Sequence, residues 1–345
     1  MNVLAATDGV LDDVQTAALT AALRRMQLIA PDEVPTLSAL TGGVSSIIAL
    51  AQTARGPMCV KRALPKLKVS ADWFAPVERN RAEVAWMNIA GSVVPQSVPR
   101  MLGEDVEAMA FAMEWLDPDR YPLWKTQLRD GAVDVRTARA VGEVLCSIHR
   151  ATAGDAGVAR DFAHDDAFYA IRLEPYLEAS ARAHPEHAEA LRRLIAVTAA
   201  TRRVLVHGDV SPKNILVGPN GPVLLDAECA WYGDPAFDLA FCLNHLLLKC
   251  LWRPASTKAF LACFDALAES YLSRVDWEAR EAVESRTAHL LAGLMLGRVD
   301  GKSPVEYLTQ AAERDRVRQF ALRHLALPVS RLATLRAHWE LDTSQ

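Results

Sequence analysis

The chain has 345 residues, of which 51% are hydrophobic and 23% charged, and 38 Lys and Arg against 42 Asp and Glu leave a formal net charge of −4. That hydrophobic share excludes a disordered chain, and the mild acidity argues against a dedicated nucleic-acid-binding domain, which needs a clustered basic surface. Length alone suggests about two compact units.

In chain order, residues 11–28 carry Leu11, Val14, Ala18, Leu23 and Met26 at helical spacing, and Pro31 and Pro35 end that helix. A strand-rich region follows. Leu37–Leu40 and Ser46–Ala51 flank Thr41-Gly42-Gly43, Arg55-Gly56-Pro57 reads as a turn, and Met58–Leu64 reads as the next strand. Residues 73–90 have a helical pattern. Val98–Gly103 and Ala108–Leu116 read as two more strands, and Asp117-Pro118-Asp119 as a linker. Beyond it, helices are expected over 134–151, over 165–200 with a break near His184-Pro185, and over about 236–252, 256–272, 277–298 and 303–323. Short strands are expected at Val204–His207, Ile215–Val217 and Val223–Asp226. The expected division is a β-rich part over residues 1–116 and a mainly helical part over 117–345.

The N-terminus carries Asp8, Asp12 and Asp13 with no basic run, so it does not read as a signal peptide. The longest uncharged run, Val34 to Ala54, has the length of a membrane span, but its glycines, serines and threonines mark a polar-tipped hairpin. The six cysteines show no CxxC pairing and read as reduced. A cytoplasmic protein with no membrane and no nucleic-acid partner is expected. The oligomeric state is left open.

The chemistry concentrates in Val206-His207-Gly208-Asp209-Val210-Ser211-Pro212-Lys213-Asn214 and in Leu224-Leu225-Asp226-Ala227-Glu228, whose Asp226 lies twelve residues past Asn214. An Asp five residues before an Asn, then a strand and another Asp, is the pattern that metal-assisted phosphoryl transfer from ATP requires. One carboxylate orients an acceptor hydroxyl; an amide oxygen and a second carboxylate hold Mg²⁺ against the phosphates.

Here the sequence resembles the aminoglycoside phosphotransferase and choline kinase superfamily, which shares the protein-kinase-like fold. The resemblance implies an α+β bilobal fold: a small antiparallel-sheet N-lobe and a larger, mainly helical C-lobe. HGDxxxxN corresponds to His207–Asn214, the glycine-rich turn to Thr41-Gly42-Gly43-Val44-Ser45-Ser46, and the phosphate-binding lysine to Lys61. The helix glutamate that orients this lysine matches Glu83, with Glu78 the weaker choice. Phe111–Leu116 resembles the strand-to-hinge segment whose backbone meets adenine. On this basis Asp209 is the catalytic residue and Asn214 and Asp226 the metal ligands. Lys61, Glu83, Gly42, Gly43, Ser45, Glu114 and Leu116 form the ATP site.

Departures narrow the class. Only seven residues separate Asp226 from Asp234, which leaves no room for the peptide-docking segment of a protein kinase and favours a small-molecule hydroxyl acceptor. Asp226-Ala-Glu228 is also similar to the DxE metal motif of the 5-methylthioribose kinases, so Glu228 is a candidate for metal or substrate. Tyr169 and Arg172 precede a helical stretch where the superfamily builds its acceptor site, and Arg298 and Lys302 lie in a charged turn. These four are substrate candidates. Against them, aromatics at helical spacing usually fill cores, and Ser303, Pro304 and Glu306 read as a helix-capping box. His207 reads as a loop brace, as does Asp238; Lys213 reads equally as a phosphate contact and as solvent-facing.

The expectation is an ATP- and Mg²⁺-dependent kinase of a sugar, polyol or amino alcohol. An aminoglycoside-resistance kinase and a nucleotide-binding pseudokinase or interaction module are the alternatives.

Overall fold

The computed structural model describes residues 11–40, 46–64 and 79–343. Gly42, Gly43, Ser45 and Glu78, together with the expected start of the second helix, lie outside the described residues.

The chain folds as two compact units, residues 1–126 with 213–228, and residues 127–212 with 229–345. The first begins with helix α1 (Asp13–Arg25), strands β1 (Thr36–Ala39), β2 (Ser46–Thr53) and β3 (Gly56–Ala63), and helix α2 (Arg79–Val93). Strands β4 (Met101–Asp105) and β5 (Ala110–Glu114) follow, and the short helix α3 (Trp124–Arg129) spans the boundary after Thr126. The second unit then supplies α4 (Val135–Thr152), α5 (Ala156–Asp161), α6 (Asp165–Phe168), a π-helical stretch Tyr169–Glu178, α7 (Ala179–Ala183), α8 (Ala188–Ala200) and β6 (Val204–Val206). Hairpin β7 (Ile215–Gly218) and β8 (Gly221–Leu224) belongs to the first unit. Strand β9 (Trp231–Gly233) and helices α9 (Pro235–Trp252), α10 (Thr257–Leu272), α11 (Arg280–Asp300), α12 (Ala311–Ala326) and α13 (Leu332–Thr343) complete the second.

In the first unit five antiparallel strands run in the order β1-β2-β3-β5-β4. Alternation decides what each face does. Met58 and Val60 on β3 join Ile47, Ala49 and Ala51 of β2 and Leu19 and Leu23 of α1 in one core cluster. Cys59 and Lys61, one residue out of phase, point to the other face. The register pairs Lys61 with Ile48 on one side and Phe111 on the other. Helix α1 starts at a capping box, with Asp12 and Gln15 satisfying each other's backbone N–H groups. The β7–β8 hairpin packs Leu216, Val223 and Leu225 on Leu123, with Leu116 and Tyr121 at the edge.

In the second unit the 18-residue helix α9 is buried over Pro235–Leu251, and α4 packs on α10. Asp234 caps α9 by accepting from the Ala236 N–H, with Pro235 in the first turn. The α+β class expected from the sequence is the class observed. One expected helix start is corrected. The helix expected from 303 begins at Ala311, capped by Gln310 and Glu313. Ser303 does not cap it: its hydroxyl and carbonyl oxygens accept from the Arg298 guanidinium at 3.1 and 2.7 Å.

Candidate active site

The first unit assembles a buried charge cluster around Lys61. Its ammonium lies 2.7 Å from Glu83 Oε2 and 2.5 Å from Asp226 Oδ1. Lys61 and Glu83 are 3% and 2% exposed, so this is an ion pair removed from water. Burial alone would lower the Lys61 pKa, but the Asp226 and Glu83 carboxylates more than offset it and raise it, so the amine stays charged. Burial pushes the Glu83 carboxyl up, to about 7, against the pull of Lys61.

Asp226 has φ of +68°, a left-handed conformation that Asp tolerates better than most residues. Just before it, the Leu225 N–H donates to the Asn214 carbonyl at 2.9 Å, so the residue after β8 is tied to the residue before β7. Glu228, two residues on, is 3.0 Å from the Arg79 guanidinium. Arg79 also donates to the Leu64 carbonyl at 2.7 Å. Arg79 and Glu83 stand one helical turn apart, so a single face of α2 engages both the lysine and the DxE segment. Arg79 was not among the sequence candidates; its i, i+4 spacing to Glu83 was the available signal.

Asn214, Asp226 and Glu228 offer one amide and two carboxylate groups. These hard oxygen donors fit Mg²⁺, which binds through few protein ligands and keeps water and phosphate oxygens for the rest of its shell. Among the described residues no three His, Cys, Asp or Glu side chains are grouped to hold an ion by themselves. Glu114 accepts from the Arg100 N–H at 2.8 Å. Glu114 and Leu116 line a cavity of about 180 Å³ together with Val98, Tyr121 and Val223.

The second unit holds Asp209. Val206 at the end of β6 pairs with Trp231, and the chain then turns through His207, Gly208 and Asp209. Asp238 of α9, wholly buried, accepts from the His207 N–H at 2.7 Å and the Gly208 N–H at 2.8 Å. His149 places Nε2 3.2 Å from the same carboxylate and Nδ1 2.7 Å from the Tyr271 hydroxyl. A tautomer with Nε2–H donating to Asp238 and Nδ1 accepting from Tyr271 satisfies both bonds. His207 Nδ1 accepts from the Asp209 N–H at 3.2 Å. Gly208 has φ of +81°, and a Cβ there would lie 2.6 Å from the Cys229 carbonyl oxygen, so only glycine fits.

Asp209 Oδ2 lies 3.0 Å from Arg172 Nη2. Of the other substrate candidates, Arg298 and Lys302 have partners elsewhere in this unit. Arg298 donates to the Tyr176 hydroxyl at 3.2 Å, exposed Lys302 pairs with Glu174 at 2.8 Å, and Tyr169 is exposed at the start of the π-helical stretch.

The phosphotransferase enzyme family APH matches residues 36–283 of this sequence. The chain belongs to that family. A methylthioribose kinase from Geobacillus thermodenitrificans is 26% identical over 238 residues, 60% of this chain and 58% of that one. The chain thus matches less than two thirds of the length of such relatives. Among solved structures, a Plasmodium vivax ethanolamine kinase superposes with a TM-score of 0.55 at 12% identity, covering 88% of this chain and 85% of that one. A choline/ethanolamine kinase family protein from Mesorhizobium loti gives 0.53 at 16% identity, covering 96% and 95%. At these identities the APH-family chain shares their fold. Among its described residues no helix is long and apolar enough to cross a membrane.

Proposed function

We propose that this APH-family protein is a small-molecule kinase that moves the γ-phosphoryl group of ATP to a hydroxyl of a sugar, polyol or amino alcohol in a Mg²⁺-dependent reaction. The observation that carries the proposal is the buried Lys61–Glu83–Asp226 cluster. An ammonium kept charged inside a protein, oriented by one carboxylate and beside a second, suits binding phosphates next to a metal. Lys61 would bind the phosphates, with Glu83 fixing its direction. The Gly42-Gly43 turn and Ser45 would cover them, and backbone groups of Glu114 and Leu116 would meet adenine.

Asn214 and Asp226 would hold Mg²⁺, with Glu228 as a further oxygen donor. Bound there, the ion supplies positive charge to the phosphate oxygens as negative charge builds on the leaving ADP. Asp209 would accept the acceptor hydroxyl's proton while the new O–P bond forms and the bond to ADP breaks. The five-position spacing from Asp209 to Asn214 ties the base to the metal ligands in this reading. Positioning and charge stabilisation carry most of the rate. The methylthioribose kinase relatives support a sugar hydroxyl as acceptor. Six buried cysteines, none of them in a disulfide, support a reducing, cytoplasmic setting.

The test is a coupled ADP-release screen over small hydroxyl compounds, followed by Asp209→Asn with the best acceptor. Turnover should fall by at least about 100-fold while nucleotide affinity stays within about threefold. Wild-type turnover in Asp209→Asn would end this assignment of the base.

A further inference from the structure

Arg172 is a long, charged side chain that the fold has immobilised. It sits in the π-helical stretch Tyr169–Glu178, which contains Pro175. Proline has no N–H to donate and crowds the preceding turn, so the regular i to i−4 ladder is interrupted there. The widened turn presents Arg172 to the loop that follows β6. The residue is only 8% exposed.

Its guanidinium is held from several sides. Nη2 lies 3.0 Å from Asp209 Oδ2, and Nε donates to the Gly208 carbonyl. Nη1 donates to the Ile171 carbonyl at 2.8 Å. The guanidinium carbon lies 5.8 Å from the centre of the Phe241 ring, itself stacked on Phe237 and edge-on to Tyr176. Two of these contacts fall on consecutive residues of the loop, one on a backbone carbonyl and one on the side chain of Asp209. An arginine that recognised an acceptor would aim its fork at the ligand; this one aims at the base and the peptide before it.

We infer that Arg172 is a positioning residue, which locks the loop carbonyl at Gly208 and the side-chain rotamer of Asp209 so that the carboxylate faces the acceptor hydroxyl in one orientation. This rests on the reading of Asp209 as the base. A planar, forked guanidinium can hold both groups at once, whereas an ammonium can meet only one of them well. Arg172 therefore acts through Asp209 and does not touch the acceptor. Nothing in the sequence pairs the two residues, which are 37 positions apart.

The test uses Arg172→Met and Arg172→Lys in the full chain, with two readouts. The first is amide hydrogen exchange. In Arg172→Met, amides 207–211 should exchange at least about tenfold faster, while α4 and α10 keep wild-type protection. The second is turnover on the best acceptor. kcat should fall about 100-fold with the ATP KM within about threefold, and Arg172→Lys should recover only part of it. Added guanidinium ion should restore part of the Arg172→Met rate and leave Asp209→Asn unchanged. Wild-type exchange over 207–211 in Arg172→Met overturns the inference, whether or not an acceptor has been found. So does a loss of kcat that guanidinium does not rescue and that accompanies faster exchange throughout the unit, since that marks a merely structural role. Absence of wild-type turnover on every acceptor would instead overturn the kinase reading, with the exchange result still deciding this one.

Discussion

Asp238→Asn tests how the candidate catalytic loop is held. In the wild type two oxygens of one buried carboxylate receive the His207 and Gly208 N–H groups and the His149 ring. Asparagine keeps one oxygen. Placed toward His207 and His149, it preserves two of these bonds and turns its NH₂ onto the Gly208 N–H. Placed the other way, it loses two. The first arrangement is cheaper, so the peptide just before Asp209 loses its acceptor. A hydrogen bond to a charged group is worth about 1.5–3 kcal/mol, and a buried donor left unpaired costs about 1–3 kcal/mol more. The expected destabilisation is about 3–5 kcal/mol. At about 1.4 °C per kcal/mol for a chain of this size, that is a fall of about 4–7 °C in melting temperature. The assay is thermal and urea unfolding beside ADP release, with turnover dropping more than stability alone explains because Asp209 is no longer fixed. A loss below about 1 kcal/mol, with turnover unchanged, would refute the claim that Asp238 supports the loop.

Gly208→Ala should destabilise by about 2–4 kcal/mol, the sum of a left-handed backbone and a Cβ forced against the Cys229 carbonyl, and should depress turnover; a wild-type melting curve would contradict it. Asp234→Asn gives a pH-dependent signature. Burial raises the Asp234 carboxyl from 3.8 to about 6, against the pull of Arg286, so between those values the native state binds a proton that the unfolded chain releases. The stability this group contributes is complete below about pH 4 and is lost as pH rises through 6. Relative to Asp234→Asn, the wild type should therefore lose up to about 3 kcal/mol between pH 4 and 7, read from paired urea midpoints. A constant gap across that range would refute the assignment.

What the sequence shows is local. Alternation and turn residues mark β2 and β3, and helical periodicity marks α4, α9 and α10, because a strand or helix with one buried face repeats its apolar residues at its own period. The spacing of His207, Asp209, Asn214 and Asp226 is legible for the same reason: those residues sit in one short stretch of chain.

What the tertiary structure decided is which distant groups meet. Strand β9 is three residues long and exists because β6 pairs with it. The capping signal at Ser303 was overridden when Arg298, buried against Tyr176, took the serine oxygens. Residues 213–228 pack with the first unit, and this brings Asp226 to Lys61 and Glu228 to Arg79 across 165 and 149 positions. Arg172 reaches Asp209 only through the π-helical turn. Periodicity says that a face will be covered; it does not say by what, because the partner's identity is set by packing between segments far apart in the chain. The sequence by itself pointed to the phosphotransferase family and to the residues expected to serve it. The tertiary structure decided how their charges are paired.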